Sequence, residues 1–374
     1  MPSDTSSIAQ LIQEMVDQQR SKVLKVAREL VADATPEDIR NPQDFPELST
    51  DALFNYEDGI LTGYLSMQTA LRSQEKNESK VLNELCGLEE NQAPLELTEL
   101  PDPIPSANEI LIRVSACGVC HTELDEIEGR THPPRLPIVL GHQVVGRIEA
   151  TGSEANTFRI GDRVGIAWIF SVCGTCKFCL AGNENLCPDF KAAGRDANGG
   201  YAQYMKVAEG FAYHIPHFFN DSEAAPLLCA GAIGYRSLRL SGLKDGQNLC
   251  LTGFGASCHL VLKMVKHQYP NTKVFVFARS VKEREFSGKL GVVWSGDIEE
   301  DSPEKLDCII DTTPAWLSVI ESLKNLEPGG RLVINAIGKE EADKESLLGL
   351  DYPVHLWLEK EIKSVANICR KDVS

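Results

Sequence analysis

Four cysteines, Cys173, Cys176, Cys179 and Cys187, follow one another at the spacing C-x2-C-x2-C-x7-C. A short loop with that spacing brings its thiols together, and four thiolates around one centre make a closed tetrahedral zinc site. Such a site keeps no open coordination position, so its role is structural. An iron–sulfur cluster is the chemical rival, because soft thiolates hold it too. The proline that follows a Cys-x3-Cys step in bacterial ferredoxins is missing here, which favours zinc. The chain has 12 cysteines in 374 residues, and its first residues, Met-Pro-Ser-Asp-Thr-Ser-Ser, lack the basic start and apolar stretch of a secretory signal. Clustered thiols without an export signal point to metal ligation in a reducing compartment, the cytoplasm, rather than to disulfides. A formal net charge of −17 repels nucleic acid and anionic lipid surfaces. No apolar run approaches the ~20 residues needed to cross a bilayer. A small molecule is left as the expected partner.

A second set of soft ligands lies upstream. Cys117-Gly-Val-Cys120-His-Thr-Glu follows a strand-like segment, Glu109 to Ser115, and Gly141-His142-Gln143 precedes another, Val144-Val145. A cysteine and a histidine held at two strand ends can aim at one zinc. The plainer reading is a buried cysteine and a satisfied core histidine. Cys229, in Leu227-Leu228-Cys229-Ala230-Gly231, sits at an expected helix start and taken alone reads as a core cysteine.

Texture divides the chain in three. Residues 1–79 carry Ile8, Leu11, Ile12, Met15, Val16, Val23, Val26 and Leu30 at helical spacing, which predicts one long amphipathic helix. Thr35-Pro36 predicts a second helix start, and a third helix is expected over 56–72, followed by a polar linker at Ser73–Lys80. This segment reads either as a partner-binding or dimerisation module or as a small helical bundle packed on the body. Residues 80–226 hold short β segments punctuated by Pro, Gly and Asp, the pattern of a β-barrel-like domain. Residues 227–374 alternate strand and helix, with strands expected at 248–252, 273–278, near Val292, and at 307–311, 331–335 and 362–366. Six such strands describe a doubly wound parallel sheet.

At the first strand of that sheet, Gly253-Phe254-Gly255 makes a turn before a helix over 256–268. Such a turn lets backbone approach a pyrophosphate, and the helix N-terminus favours its charge. The third glycine of the fingerprint is replaced by Cys258. The second strand ends Phe277-Ala278-Arg279-Ser280, without the acidic residue that takes unphosphorylated ribose. A small residue followed by arginine fits a 2′-phosphate, hence NADP; the other reading of Arg279 is a solvated surface arginine, and NAD stays open.

Together these stretches resemble the zinc-dependent medium-chain alcohol dehydrogenases of the yeast and bacterial type, from about Val81 onward. The resemblance rests on Gly118-Val119-Cys120-His121-Thr122, Gly141-His142, the four-cysteine loop, Leu228-Cys229-Ala230-Gly231 and the Gly253-Phe254-Gly255 turn. It implies an α/β chain with a GroES-like β-barrel catalytic domain and a Rossmann domain, here preceded by an α-helical N-terminal extension. It implies two zinc ions per chain: a catalytic one on Cys120, His142 and Cys229, and a structural one on Cys173, Cys176, Cys179 and Cys187. Thr122 matches the hydroxyl that passes the alcohol proton outward, and His121 a contact to the cofactor pyrophosphate; Glu128 departs from the pattern, standing where many members end the relay with histidine, though a carboxylate can also accept a proton. Gly253, Gly255, Ala256, Ser257, Ala278, Arg279 and Gly338 fall at cofactor-binding positions, and Trp168 matches a substrate-pocket position or is a core tryptophan. The implied reaction is reversible oxidation of a primary alcohol to an aldehyde with hydride transfer to NAD or NADP, in a homodimer or homotetramer. Two further departures bear on it. Gln143 replaces a glutamate beside the histidine ligand, which is expected to leave the site more positive. The chain stops just past the sixth Rossmann strand, so the return to the catalytic domain is expected to be absent; an impaired homologue acting as an interaction module, or a gene fragment, is the alternative.

Overall fold

A computed structural model describes residues 4–32, 34–36, 39, 42, 45–77, 82–88 and 94–374. The chain forms two compact units, Met1–Val81 and Leu82–Ser374.

In the first unit, helix α1 (Asp4–Leu30) buries Ile12, Val16, Gln19, Val23 and Ala27. Their steps of three and four residues set them along one helical stripe. Leu11 and Leu30, expected on the apolar face, are exposed. The helix start expected at Thr35–Pro36 lies partly outside the described residues: Thr35 and Pro36 are not themselves helical, Glu37 and Asp38 are not described, and Ile39 is in a 3-10 turn. The next helix is α2 (Pro46–Thr50), with proline in its first turn. Asp51 then caps α3 (Ala52–Asn77) by accepting from the Phe54 N–H at 2.7 Å. This helix runs into the polar stretch expected as a linker, because Gln, Glu and Lys are good helix formers whose charges a solvated helix tolerates. Phe54 and Leu61 of α3 pack with the α1 stripe. A polar contact lies within that packing: Gln19 donates to the Glu57 carboxylate at 2.7 Å, and Lys22 pairs with it at 2.8 Å.

The second unit opens with an antiparallel pair, β1 (Leu82–Leu88) and β2 (Glu96–Pro101). Next come β3 (Glu109–Cys117), the short helix α4 (His121–Ile127), β4 (Ile138–Val139), β5 (Val144–Thr151) and β6 (Arg163–Ile166). The pair β7 (Ile169–Ser171) and β8 (Lys191–Ala192) brackets the four-cysteine loop, which carries α5 (Lys177–Leu180). Then follow β9 (Tyr204–Ala208) and β10 (Ala212–His214). Five of these strands make a curled antiparallel sheet in the order β10-β6-β5-β3-β9, the GroES-like half-barrel. Its interior holds Ile110, Ile112, Val144, Ile148, Val164, Ile166, Met205 and Val207. The β3–β5 register pairs Cys117 with Val144. The chain leaving β3 toward Cys120 therefore runs beside the chain that enters β5 from His142.

After α6 (Asp221–Ala224), helix α7 (Ala230–Ser241) leads into the parallel sheet. Its elements are β11 (Asn248–Thr252), α8 (Ala256–Gln268), β12 (Lys273–Phe277), α9 (Val281–Lys289), β13 (Trp294–Gly296), β14 (Leu306–Asp311), α10 (Trp316–Asn325), β15 (Leu326–Ile334), α11 (Tyr352–His355) and β16 (Glu361–Ser364). The six strands lie in the order β13-β12-β11-β14-β15-β16, all parallel. Two apolar layers cover its faces. One holds Leu249, Leu251, Val261, Val265, Val274 and Ile310; the other holds Cys250, Phe275, Phe277, Val319, Leu323 and Leu332. Burial on both faces explains why these strands read as continuous apolar runs rather than alternating ones. The order reverses between β11 and β14, which places the ligand crevice at their carboxyl ends.

Phe54 is fully buried in the first unit. Phe54→Ala is expected to cost about 3–5 kcal/mol there, read as a lowered urea midpoint for the helical transition followed at 222 nm.

Candidate metal centres and nucleotide cleft

The segment Cys120-His121-Thr122-Glu123 folds as a capping box. Cys120 is the N-cap of α4, with its sulfur 3.4 Å from the Thr122 N–H, while its own N–H donates to Glu123 Oε2 at 2.8 Å. This reciprocal cap holds the thiol at the helix start. His142 follows Gly141, whose φ is +95° and whose Hα direction faces Tyr201 and the Cys117 sulfur; a Cβ there would lie 2.7 and 2.8 Å from them. Only glycine fits both the conformation and the space. Cys229 is the N-cap of α7. Three separate elements thus bring three ligand atoms within 4.8 Å of one another. His142 Nε2 lies 3.5 Å from Cys120 Sγ and 3.1 Å from Cys229 Sγ. Bonds of ~2.3 Å to sulfur and ~2.0 Å to nitrogen around a tetrahedral zinc set thiolate and imidazole roughly 3.5 Å apart.

Behind the imidazole stands a residue that sequence reasoning missed. Glu123 Oε1 is 2.6 Å from His142 Nδ1, and both side chains are fully buried. A carboxylate on the far nitrogen turns Nε2 toward the cluster and raises the ligand's basicity. The signal was present as the fourth residue of the capping box. Without metal, the donors share protons. The Cys229 hydrogen bond holds Cys120 down to about 3, against the opposing effect of burial. Burial alone would lower His142, but the bond to Cys120 and the Glu123 carboxylate outweigh it and lift it to about 10. A dication takes the place of these protons when it binds such donors. Two thiols and a carboxylate-backed imidazole therefore fit zinc.

The four-cysteine loop closes as its spacing predicted. All four sulfurs lie within 4.8 Å of one another, with Cys173 3.5 Å from Cys187 and 3.9 Å from Cys179. Backbone N–H groups of Thr175 and Cys176, aimed at Cys173, bring its thiol down to about 6, as suits a thiolate ligand. No fifth protein donor joins them among the described residues.

Around the three-residue cluster, Thr122 is buried next to Cys120, whereas His121 is exposed at the first position of α4. Glu128 ends α4 and pairs with Arg130, which also holds Asp125 at 2.6 Å. Trp168 meets His142 edge to face, with ring centroids 4.8 Å apart. Gln143 is buried with its amide nitrogen unpartnered. The cluster does not lack carboxylates for all that, since Glu123 touches it and Glu126 lies buried one turn further along α4. Burial pushes the Glu126 carboxyl up to about 8, with His142 opposing and Glu123 reinforcing.

At the nucleotide end, Gly253 has φ +76°, and a Cβ there would lie 3.0 Å from Thr312 Oγ1. Gly255 caps α8 without a side chain, leaving Ala256 and Ser257 in the first turn. Cys258, in place of the third glycine, is fully buried with its sulfur 3.4 Å from Thr312 Oγ1, and burial holds its thiol up at about 12. Beyond β12, Ala278 is buried and Arg279 exposed. Arg284 donates to the Ala278 carbonyl at 2.7 Å, so a second guanidinium sits under that loop. Gly338 is exposed after β15. Its neighbour Lys339 forms a buried ion pair with Asp311 at the end of β14 and donates to the Thr313 and Ala315 carbonyls at 2.8 and 3.0 Å. Nothing in the spacing joins those two residues. No helix among the described residues is long and apolar enough to cross a membrane.

A GroES-like half-barrel bearing two cysteine clusters, joined to a Rossmann sheet, defines a class of dehydrogenases. Residues 106–217 match the Alcohol dehydrogenase GroES-like domain family. A probable alcohol dehydrogenase, AdhA of Mycobacterium tuberculosis, is 39% identical over 284 residues, 75% of this chain and 80% of that one. A cinnamyl alcohol dehydrogenase from Sorghum bicolor superimposes with TM-score 0.70 at 25% identity, over 78% of this chain and 85% of that one. The protein CAD of Helicobacter pylori, in a structure complexed with NADP(H), shares the fold, at TM-score 0.69 and 21% identity, over 79% of this chain and 86% of that one. The chain belongs to the zinc-dependent medium-chain alcohol dehydrogenase family. It is an oxidoreductase, and the relatives' common chemistry is alcohol oxidation.

Glu123→Gln keeps the capping bond to the Cys120 N–H within reach but removes the charge behind His142. Zinc retention at the three-residue cluster is expected to fall about 10–100-fold, measured by competition with a chromogenic chelator, while the four-cysteine loop keeps its metal.

Proposed function

We propose that this chain catalyses the reversible oxidation of a primary alcohol to an aldehyde, with hydride transfer to NADP and one zinc at each cysteine cluster. The observation that carries the reading is the convergence of Cys120, His142 and Cys229 with Glu123 behind the imidazole. A zinc held by these three donors would keep one open position, where its charge would lower the pKa of an alcohol hydroxyl. The four-cysteine set closes its own site and serves the fold.

The protein's side chains then divide the remaining work. Thr122, buried beside Cys120, accepts the alcohol proton and passes it outward, and Glu128 at the end of α4 receives it near the surface. Exposed His121 would contact the cofactor pyrophosphate, and the Gly253–Gly255 turn and the α8 N-terminus, with Ala256 and Ser257, would hold it. Small Ala278 and exposed Arg279 would accommodate a 2′-phosphate, with Arg279 supplying the positive charge, and Gly338 would be a further cofactor-binding position. Residues 80–226 act as the catalytic domain and 227–374 as the dinucleotide-binding domain. The described cysteines are all free thiols, in keeping with a cytoplasmic protein. A second copy of the chain is the expected partner. Strand β16 presents an edge of four exposed residues, and the segment before it leaves Leu348, Tyr352, Trp357 and Leu358 exposed. An unpaired edge flanked by apolar side chains suits an isologous dimer.

Metal analysis of purified protein should find two zinc ions per chain, and absorbance at 340 nm should rise with benzyl alcohol and NADP. Arg279→Asp should lower kcat/KM for NADP by about tenfold or more, the scale of one charge-assisted contact, with NAD unchanged or improved. An unchanged cofactor preference sinks the assignment of Arg279. Light scattering should give a dimer or a multiple of it, and Ile362→Lys, on the β16 edge, should shift it toward monomer.

A further inference from the structure

The ring that stands against the His142 imidazole is held by a residue from the far end of the chain. Trp168 is half-buried, and its indole N–H donates to Asn367 Oδ1 at 3.0 Å. The other end of the same amide is also engaged, since Asn367 Nδ2 donates to the Asn185 carbonyl at 3.3 Å. Asn185 in turn donates its own amide to the Ala366 carbonyl at 2.9 Å. Asn367 has a positive φ of +49°, a conformation that asparagine tolerates far better than branched residues. The rest of this strap is equally tied down. Arg370 pairs with Glu184, and Asp372 accepts from Arg236 at 2.7 Å and Arg239 at 2.8 Å, both on α7, the helix that Cys229 caps.

Trp168 meets His142 edge to face and packs in part against the apolar cluster that holds Ala167, Ile169 and Leu228, so without that acceptor its rotation is limited by packing alone. Bonded at the nitrogen as well, it holds one orientation beside the imidazole. We propose that Asn367 is a positioning residue for the alcohol pocket: its amide fixes the Trp168 indole against His142, and the pocket wall is thereby set from the C-terminal strap. The inference rests on the alcohol dehydrogenase reading for its kinetic consequence, while the clamp itself is read separately by fluorescence.

Two substitutions separate the amide from the backbone. Asn367→Gly removes the acceptor and keeps the positive φ without strain. Asn367→Asp keeps an acceptor oxygen for the indole and tolerance of that φ, and gives up the Nδ2 bond to the Asn185 carbonyl. In the full-length protein, Asn367→Gly should raise acrylamide quenching of tryptophan emission about twofold and shift the emission to the red. The same substitution in a Trp168→Phe background should leave the emission unchanged, and Asn367→Asp, which keeps the acceptor for the indole, should leave the emission and its quenching close to those of the starting protein. With NADP as cofactor, Asn367→Gly should raise KM for benzyl alcohol about fivefold, the equivalent of one net hydrogen bond, with a smaller change in kcat and little effect on ethanol. Unchanged emission in Asn367→Gly overturns the clamp, as does a change that persists without Trp168 or appears equally in Asn367→Asp. A fluorescence change with KM values unmoved overturns the positioning role. Turnover of no alcohol by any variant, with the fluorescence pattern intact, refutes the alcohol reading and leaves the clamp standing.

Discussion

A buried carboxylate against a buried imidazole is the contact on which the second unit's chemistry depends. Glu123 and His142 meet at 2.6 Å, and both side chains are fully buried. Such a pair is costly to assemble unless every partner is in place. Here the partners are supplied by three elements at once. The α4 cap orients Glu123 through the Cys120 N–H, the Gly141 turn delivers His142 into β5, and α7 brings Cys229 to the other imidazole nitrogen. Remove any one and the imidazole faces unpaired thiols or an uncompensated carboxylate. The half-barrel is thus less a container than a device for making distant chain segments end at one point.

The nucleotide half shows the same economy. The turn after β11 approaches Thr312, and Thr312 is also where the Cys258 sulfur and the Thr252 carbonyl meet. A cysteine can therefore replace the third glycine, because its side chain is absorbed by the β14 loop rather than by the cofactor. The same loop is pinned from below by Lys339, whose ammonium satisfies Asp311 and two carbonyls. Burial raises the Asp311 carboxyl and Lys339 opposes that effect, so the pair stays together only as long as the loop does.

Much of this was legible in the residues alone. The helix from Ala256 to about Gln268 is legible, because a glycine turn marks its start, and the structure ends it at Gln268. The four-cysteine loop was legible because its partners are local. Boundaries were less so where two rules competed. The stretch after Arg72 is polar enough for a linker and helix-forming enough for a helix, and in the structure α3 continues to Asn77.

Sequence by itself determined what depends on neighbours along the chain: the strand and helix periods, the caps, the glycine turns, and which cysteines travel together. Tertiary structure decided whatever needed two distant segments to agree. Glu123 was only a charged residue until His142 arrived beside it, and Trp168 was either core or pocket until Asn367, 199 positions away, took its N–H. Asp311 and Lys339 carry no mutual signal at all. Hydrogen bonds and ion pairs act over about 3 Å, so no local pattern can announce a partner that only the folded chain brings within that distance.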